Sequence, residues 1–209
     1  MGSATPFKGR DDLCFFGQIS AAISHDLKNV LAIINEDAGL LQDLSLMVEK
    51  GLELDPPRLV KLAGKIQNQV KRGDTIIKNM NRFAHSVDIP ECEIDYHELS
   101  SLVISLLTRM ASRKCVKISL REGGQVNGKG DPFTTQMLIA KALEYSMDSA
   151  GKDGELGVDV EASGGGCFVS ISGLTEVLTE EQLAELGAIA EQAGAEISES
   201  PRDKLTVKF

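Results

Sequence analysis

Within a long stretch of helical periodicity the chain reads Ser24-His25-Asp26-Leu27-Lys28-Asn29. This order sets an imidazole beside a carboxylate, with a carboxamide one helical turn further on. Phosphoryl transfer to and from nitrogen needs such a set. The imidazole is the nucleophile, the carboxylate orients it or takes its proton, and polar groups a turn away place a phosphoryl group or a water. A single histidine on a helix is more often an ordinary boundary residue. Asp26, Lys28 and Asn29, each taken alone, read as a solvated polar face. What changes the balance is spacing: Asn29 follows His25 by four and Asp26 by three, so all three reach one surface. His85 and His97 have no comparable setting and read as ordinary.

The elements that must position these residues are two long helices. No proline interrupts the chain from Asp12 to Glu49. Ile23, Leu27, Val30, Ile34, Leu41, Leu44 and Val48 recur at steps of three and four, broken only by Asp37, which is the stripe of a helix packed in a bundle. Lys50-Gly51 to Asp55-Pro56-Pro57 then breaks that helix and prepares the next. Leu59, Leu62, Ile66, Val70, Ile77, Met80 and Phe83 continue as a second helix from about Arg58 to His85, with Gly73 as a weak point. A short connection between two such helices predicts an antiparallel hairpin. One hairpin cannot bury its stripe on all sides, so pairing of two hairpins in a homodimeric four-helix bundle is expected. His25 lies one position out from that stripe, at its edge.

Bulk composition narrows the function classes. The chain has 209 residues and a net charge of −9. Residues 1–90 carry eleven basic and eleven acidic side chains, whereas 91–209 carry eleven basic and twenty acidic. An acidic second half argues against nucleic-acid binding. Cys14, Cys92, Cys115 and Cys167 are scattered without metal-ligand spacing and suit free thiols in a reducing cytoplasm. No apolar run approaches the roughly 20 residues of a membrane span and no signal peptide is visible. Met1-Gly2-Ser3 reads as an expression remnant.

After a linker at Ile89-Pro90-Glu91 the pattern changes. A helix is expected from His97 to about Ser112, a strand over Cys115–Leu120, and a glycine-rich turn region from Arg121 to Gly130. Asp131-Pro132 starts a helix running to about Ala150. Glu155–Glu161 and Cys167–Ile171 read as a hairpin across Ser163-Gly164-Gly165-Gly166. The glycines there tempt as a phosphate loop, but strands on both sides favour a turn. Thr179–Ala193 is a capped helix, and Ala195–Glu199 and Leu205–Phe209 close as strands. The fold class is therefore α+β: a helical hairpin over 1–90 followed by a small two-layer sandwich over 91–209.

Two stretches carry a family resemblance. Ile23-Ser24-His25-Asp26-Leu27-Lys28-Asn29-Val30 resembles the H-box of two-component sensor histidine kinases. Gln69-Val70-Lys71-Arg72-Gly73 to Met80-Asn81-Arg82-Phe83 is similar to the partner helix of the same dimerisation and histidine-phosphotransfer domain. The resemblance implies that His25 carries a phosphoryl group, that Asp26 is the adjacent acid, and that Asp26 and Asn29 assist dephosphorylation of a partner. Lys28 occupies a basic position on the partner-binding face. Asp131-Pro132-Phe133 and Leu186-Gly187-Ala188 resemble parts of the family's nucleotide-binding domain. Its chemistry is missing: Lys141 and Tyr145 stand where two Asn are expected, one of them a magnesium ligand, and a phenol is a poor substitute for that amide oxygen. Gly173-Leu174-Thr175-Glu176 replaces the adenine-binding Asp and glycine turn, and the segment before the last helix is too short for a lid over ATP.

These readings lead to a cytoplasmic, dimeric histidine phosphotransferase of degenerate-kinase type. His25 would exchange phosphate with aspartates of response-regulator receiver domains, with no bound cofactor and with Mg²⁺ supplied by the receiver. Alternatives are a receiver phosphatase in which Asp26 and Asn29 orient water, a non-catalytic pseudokinase scaffold, and an ATP-dependent kinase with an unusual site.

Overall fold

The computed structural model describes residues 9–51, 53, 55–199 and 203–209. Met1-Gly2-Ser3 lies outside that range. The chain divides into two compact units, the hairpin over 20–82 and an α+β unit over the described part of 1–19 together with 83–209.

The hairpin is made by α1 (Arg10–Glu49) and α2 (Pro56–His85), joined through Gly51, whose φ of 88° suits only glycine without strain. Ile23, Val30, Asp37 and Leu44 of α1 are buried, a strict seven-residue spacing. Leu41 and Val48, assigned by sequence to the same stripe, are exposed at 41% and 42%. The apolar stripe is thus two rows, one turned inward and one left open. A Cβ at Gly73 of α2 would stand 3.4 Å from Val30 Cγ1, an ordinary van der Waals contact.

The second unit begins with a 3₁₀ turn (Ser86–Asp88) and β1 (Cys92–Asp95), which pairs antiparallel with β3 (Asn127–Gly130). β1 is a correction to the sequence reading, which had no strand there. Between them lie α3 (Tyr96–Lys114) and β2 (Lys117–Leu120); α4 (Pro132–Ala150), β4 (Glu155–Ser163), β5 (Gly166–Ser172), α5 (Glu180–Ala193), β6 (Glu196–Glu199) and β7 (Lys204–Lys208) follow. The main sheet runs β2-β4-β5-β7-β6, antiparallel apart from the β2–β4 pair. Leu156, Val158, Val169, Ile171, Leu205 and Val207 of this sheet and Leu138, Leu143, Met147 and Leu186 of the helices are almost fully buried and form the core.

Local sequence explains where these helices start. Asp95 accepts from His97 N and Glu98 N at 3.0 and 3.3 Å, and Asp131 accepts from Phe133 N and Thr134 N at 3.0 and 3.1 Å. Pro132 occupies the first turn of α4, where no amide hydrogen is needed. Thr179 and Gln182 cap α5 reciprocally. Gly164 and Gly165 turn the β4–β5 hairpin with φ of 59° and 82°, a turn rather than a phosphate cradle. The first residues of α1 and the end of α2 belong to this unit through an aromatic cluster. Phe15 meets Phe83 edge-on at 5.6 Å and Phe133 at 5.6 Å, and Phe16 stacks on Phe83 at 5.3 Å.

Candidate functional site

Helix α1 presents His25 to solvent because the buried row passes through Ile23 and Val30, leaving position 25 outside it. Asn29, one turn on, is also exposed, and its Nδ2 stands 3.1 Å from His25 Nδ1. Asp26 is half-buried and makes no hydrogen bond to the ring among the described residues. The structure therefore brings Asn29 rather than Asp26 onto the imidazole. Lys28 is exposed on the same helix. The other two histidines are engaged elsewhere: His85 Nδ1 lies 3.3 Å from Asp88, and His97 Nε2 lies 3.1 Å from the Arg121 carbonyl. Charge is divided between the helices in a way that totals conceal. Helix α1 has seven acidic and two basic side chains. Helix α2 has seven basic side chains, among them Lys65, Lys71, Arg72 and Lys78, and Asp74 as its one acid.

A second feature of the hairpin was not recognised from sequence. Asp37 is 7% exposed, and its Oδ2, like Gln69 Oε1, is buried without a hydrogen-bond partner. Both line a cleft of about 310 Å³ with Ile33, Glu36, Lys65 and Asn68. The visible signal was the polar break at position 37 in an apolar row.

In the α+β unit, Lys141 and Tyr145 of α4 face α5. Lys141 Nζ lies 3.2 Å from Glu144 and 3.2 Å from Glu185, and 5.2 Å from the centre of the Tyr145 ring. The Tyr145 hydroxyl donates to Glu185. Burial, then this bond to Glu185, pushes the Tyr145 phenol up to about 12. The hydrogen bond from Tyr145 in turn holds the Glu185 carboxyl below its ordinary value. Burial pulls the Lys141 ammonium down, and Glu144 and Glu185 together outweigh it and hold it above the ordinary value. The positions that sequence identified as departures from nucleotide chemistry thus form a satisfied polar network between α4 and α5. The segment between β5 and α5 is tied down as well. Ser149 Oγ donates to the Glu176 carbonyl at 2.7 Å and accepts from Glu176 N at 3.0 Å, and Leu174 and Leu178 are each 5% exposed. Gly173, with φ of 98°, fits where any side chain would collide with the Glu155 carbonyl. Among the described residues no cluster of three or more His, Cys, Asp or Glu side chains is placed to hold a metal ion. None of the described helices is long and apolar enough to cross a membrane.

No protein-family model matches the sequence, and no curated protein matches it. Solved structures with a similar chain course exist. One is the histidine kinase ThkA in complex with the response regulator protein TrrA, at 17% identity over 100% of this chain and 67% of that one, with a TM-score of 0.48. Another is a bacterial phosphotransferase, at 14% identity over 99% of this chain and 100% of that one, with a TM-score of 0.48. A third is the Acinetobacter baumannii histidine kinase AdeS, at 14% identity over 88% and 96%, with a TM-score of 0.48. At these identities the similarity is one of fold alone, and the role of each side chain rests on this chain's own residues.

Proposed function

We propose that this chain is a histidine phosphotransfer protein whose His25 exchanges a phosphoryl group with aspartates of response-regulator receiver domains. The observation that carries the reading is the exposed His25 imidazole, with Asn29 Nδ2 3.1 Å from its Nδ1 and no hydrogen bond at Nε2 among the described residues. Phosphohistidine and phosphoaspartate are both high-energy linkages, so exchange between them needs in-line positioning and no nucleotide. The receiver would bring the aspartate and its Mg²⁺, and this chain the nucleophile, with Lys28 on the docking face.

A nucleotide site does not fit the residues present. Lys141, Glu144, Tyr145 and Glu185 satisfy one another across α4 and α5, and two of those four are carboxylates, which repel a polyanion. We also propose that the protein acts in the cytoplasm as a homodimer. Its open row of Leu41 and Val48 on α1, with Val70 and Ile77 of α2 exposed at 56% and 44%, has the seven-residue spacing that a second hairpin would cover.

One experiment separates this reading from the others. The protein and its His25→Ala variant are incubated with radiolabelled ATP and, separately, with a prephosphorylated receiver. Acid-labile label on wild type from the receiver alone is expected; label from ATP would refute the reading, and absence of label from every receiver would leave a scaffold. The receiver-phosphatase alternative, favoured by the amide of Asn29 at the site, predicts phosphate release that survives in His25→Ala.

A further inference from the structure

Position 37 breaks the apolar row of α1, and no donor of the hairpin meets it. Asp37 shares the inward row with Ile23, Val30 and Leu44, is 7% exposed, and has no hydrogen-bond partner for its Oδ2 among the described residues. Gln69 Oε1 of α2 is buried and unpartnered in the same way. The cleft of about 310 Å³ that both residues line is completed by Ile33, Glu36, Lys65 and Asn68. Lys65 is the nearest source of positive charge, yet its side chain is exposed and makes no ion pair among the described residues. Glu36 and Asp37 against Lys65 leave the lining with negative charge in excess. Both buried atoms are acceptors, so whatever satisfies them must present hydrogen-bond donors and carry positive charge.

We propose that this cleft binds a hydrated Mg²⁺ ion, with Asp37 as its charged anchor and Gln69 as an acceptor for its water ligands. The carboxylates of Glu36 and Asp37 and the carboxamides of Asn68 and Gln69 offer oxygen to a metal, with no imidazole or thiol beside them. Such a set selects a hard cation over zinc or copper. No three His, Cys, Asp or Glu side chains converge as a cage among the described residues. An ion held wholly by protein ligands is therefore excluded here, whereas Mg²⁺ sheds water reluctantly and is held through one or two carboxylates. The volume agrees: at roughly 30 Å³ per water, the cleft accommodates the ion with its octahedral shell. Water bound to Mg²⁺ donates from every ligand position, which supplies Asp37 Oδ2 and Gln69 Oε1 with the donors they lack. Asp37 lies twelve residues beyond His25, about 18 Å along α1, so this ion is separate from any that a receiver brings to the imidazole. Contacting residues of both helices, it ties α1 to α2.

The test uses the full chain freed of metal with a chelator, without receiver or nucleotide. Mg²⁺ is expected to bind with a Kd on the order of 1 mM and, at ten times that concentration, to raise the Tm by about 3–6 °C. Sodium chloride at matched ionic strength should not. Mn²⁺, followed by loss of its free electron paramagnetic resonance signal, should bind once per chain and be displaced by Mg²⁺. Asp37→Asn keeps the side-chain outline and should weaken Mn²⁺ binding about tenfold or more, because ligand charge sets affinity. Lys65→Met removes the opposing charge and should tighten it severalfold. Helical circular dichroism at low temperature checks that each variant is folded. An unchanged Tm in Mg²⁺, an equal rise in sodium chloride, Mn²⁺ binding retained in Asp37→Asn, or an affinity unmoved in Lys65→Met would overturn the proposal.

Discussion

Replacing Asp37 with leucine should stabilise the hairpin, against the usual expectation for a buried-site substitution. Asp37 occupies the inward row of α1 with Ile23, Val30 and Leu44, and is 7% exposed. Its Oδ2 has no partner, and Gln69 Oε1, which lines the same cleft, has none either. Leaving such a group buried and unpaired costs about 1–3 kcal/mol. Leucine has the same branched outline, with methyls in place of the carboxylate oxygens, and the adjacent cleft of about 310 Å³ takes up its extra volume. Burying a leucine side chain adds roughly 1.5–3 kcal/mol, offset in part by imperfect packing at about 1–3 kcal/mol. The net is a gain of about 2 kcal/mol, or a rise of roughly 4–8 °C in Tm for a chain of this size. Helical circular dichroism followed against temperature, with a urea titration in parallel, measures it. A fall in Tm of more than a degree or two would refute the reasoning. It would mean that Asp37 has a donor in solution, supplied by Lys65 from the rim of the same cleft or by a second copy of the chain.

The open apolar row should be an interface: Val70→Lys with Ile77→Lys is expected to convert a dimer to a folded monomer in light scattering, while unchanged mass or an original monomer would remove the case for a bundle. Both tyrosines should titrate late, since burial first and Cys167 second push Tyr96 up to about 12 while Tyr145 is raised to about 12. These groups contribute stability that is whole below the unfolded value near 10 and is lost as pH rises toward 12, because the folded state favours the neutral phenol. Ultraviolet absorbance should therefore show almost no tyrosinate in the native protein at pH 10.5 and about three-quarters in urea; equal absorbance would contradict the Glu185 contact. Finally, transfer from a phosphorylated receiver should slow as salt is raised, because the basic side chains of α2 steer an acidic partner. A rate that rises with salt would show that the overall charge of −9 governs approach instead.

Where periodicity and caps agree, the sequence was nearly sufficient. Asp131 and Thr179 begin helices as expected because their side chains accept from the next free amides, and Asp95, not read as a cap, does the same for α3. What sequence could not supply came from approach between segments. The stripe of α1 read as one face, yet only the row at 23, 30, 37 and 44 turns inward, since a row's direction depends on the neighbour it meets. β1 was missed because four residues spelling Cys-Glu-Ile-Asp carry little strand signal, and their pairing with Asn127–Gly130 spans a helix and a strand. At the site, His25 and Asn29 were legible as a four-residue spacing, whereas Asp26, favoured for being adjacent, sits where it makes no bond to the ring. Adjacent positions on a helix point about 100° apart, so the neighbour in sequence is the wrong place to look for a partner.

The α+β unit takes in the start of α1 as well as its own sheet and helices. Its helix α4 begins at Pro132 with fourteen buried residues in nineteen, more than a helix on one face of a sheet requires. The surplus arises at its start, where Phe133 meets Phe15 and Phe83, residues from the beginning of α1 and the end of α2. Phe15 lies ten residues before His25 on the same helix, and a frayed end would cost the helix its first turns. Closing that end in an aromatic cluster keeps α1 helical well before position 25, and the i to i+4 bond between His25 and Asn29 exists only while that helix holds. Lys141, Tyr145 and Glu185 tie α4 to α5 within the same unit. On the proposed reading the aromatic cluster keeps the acceptor helix in shape.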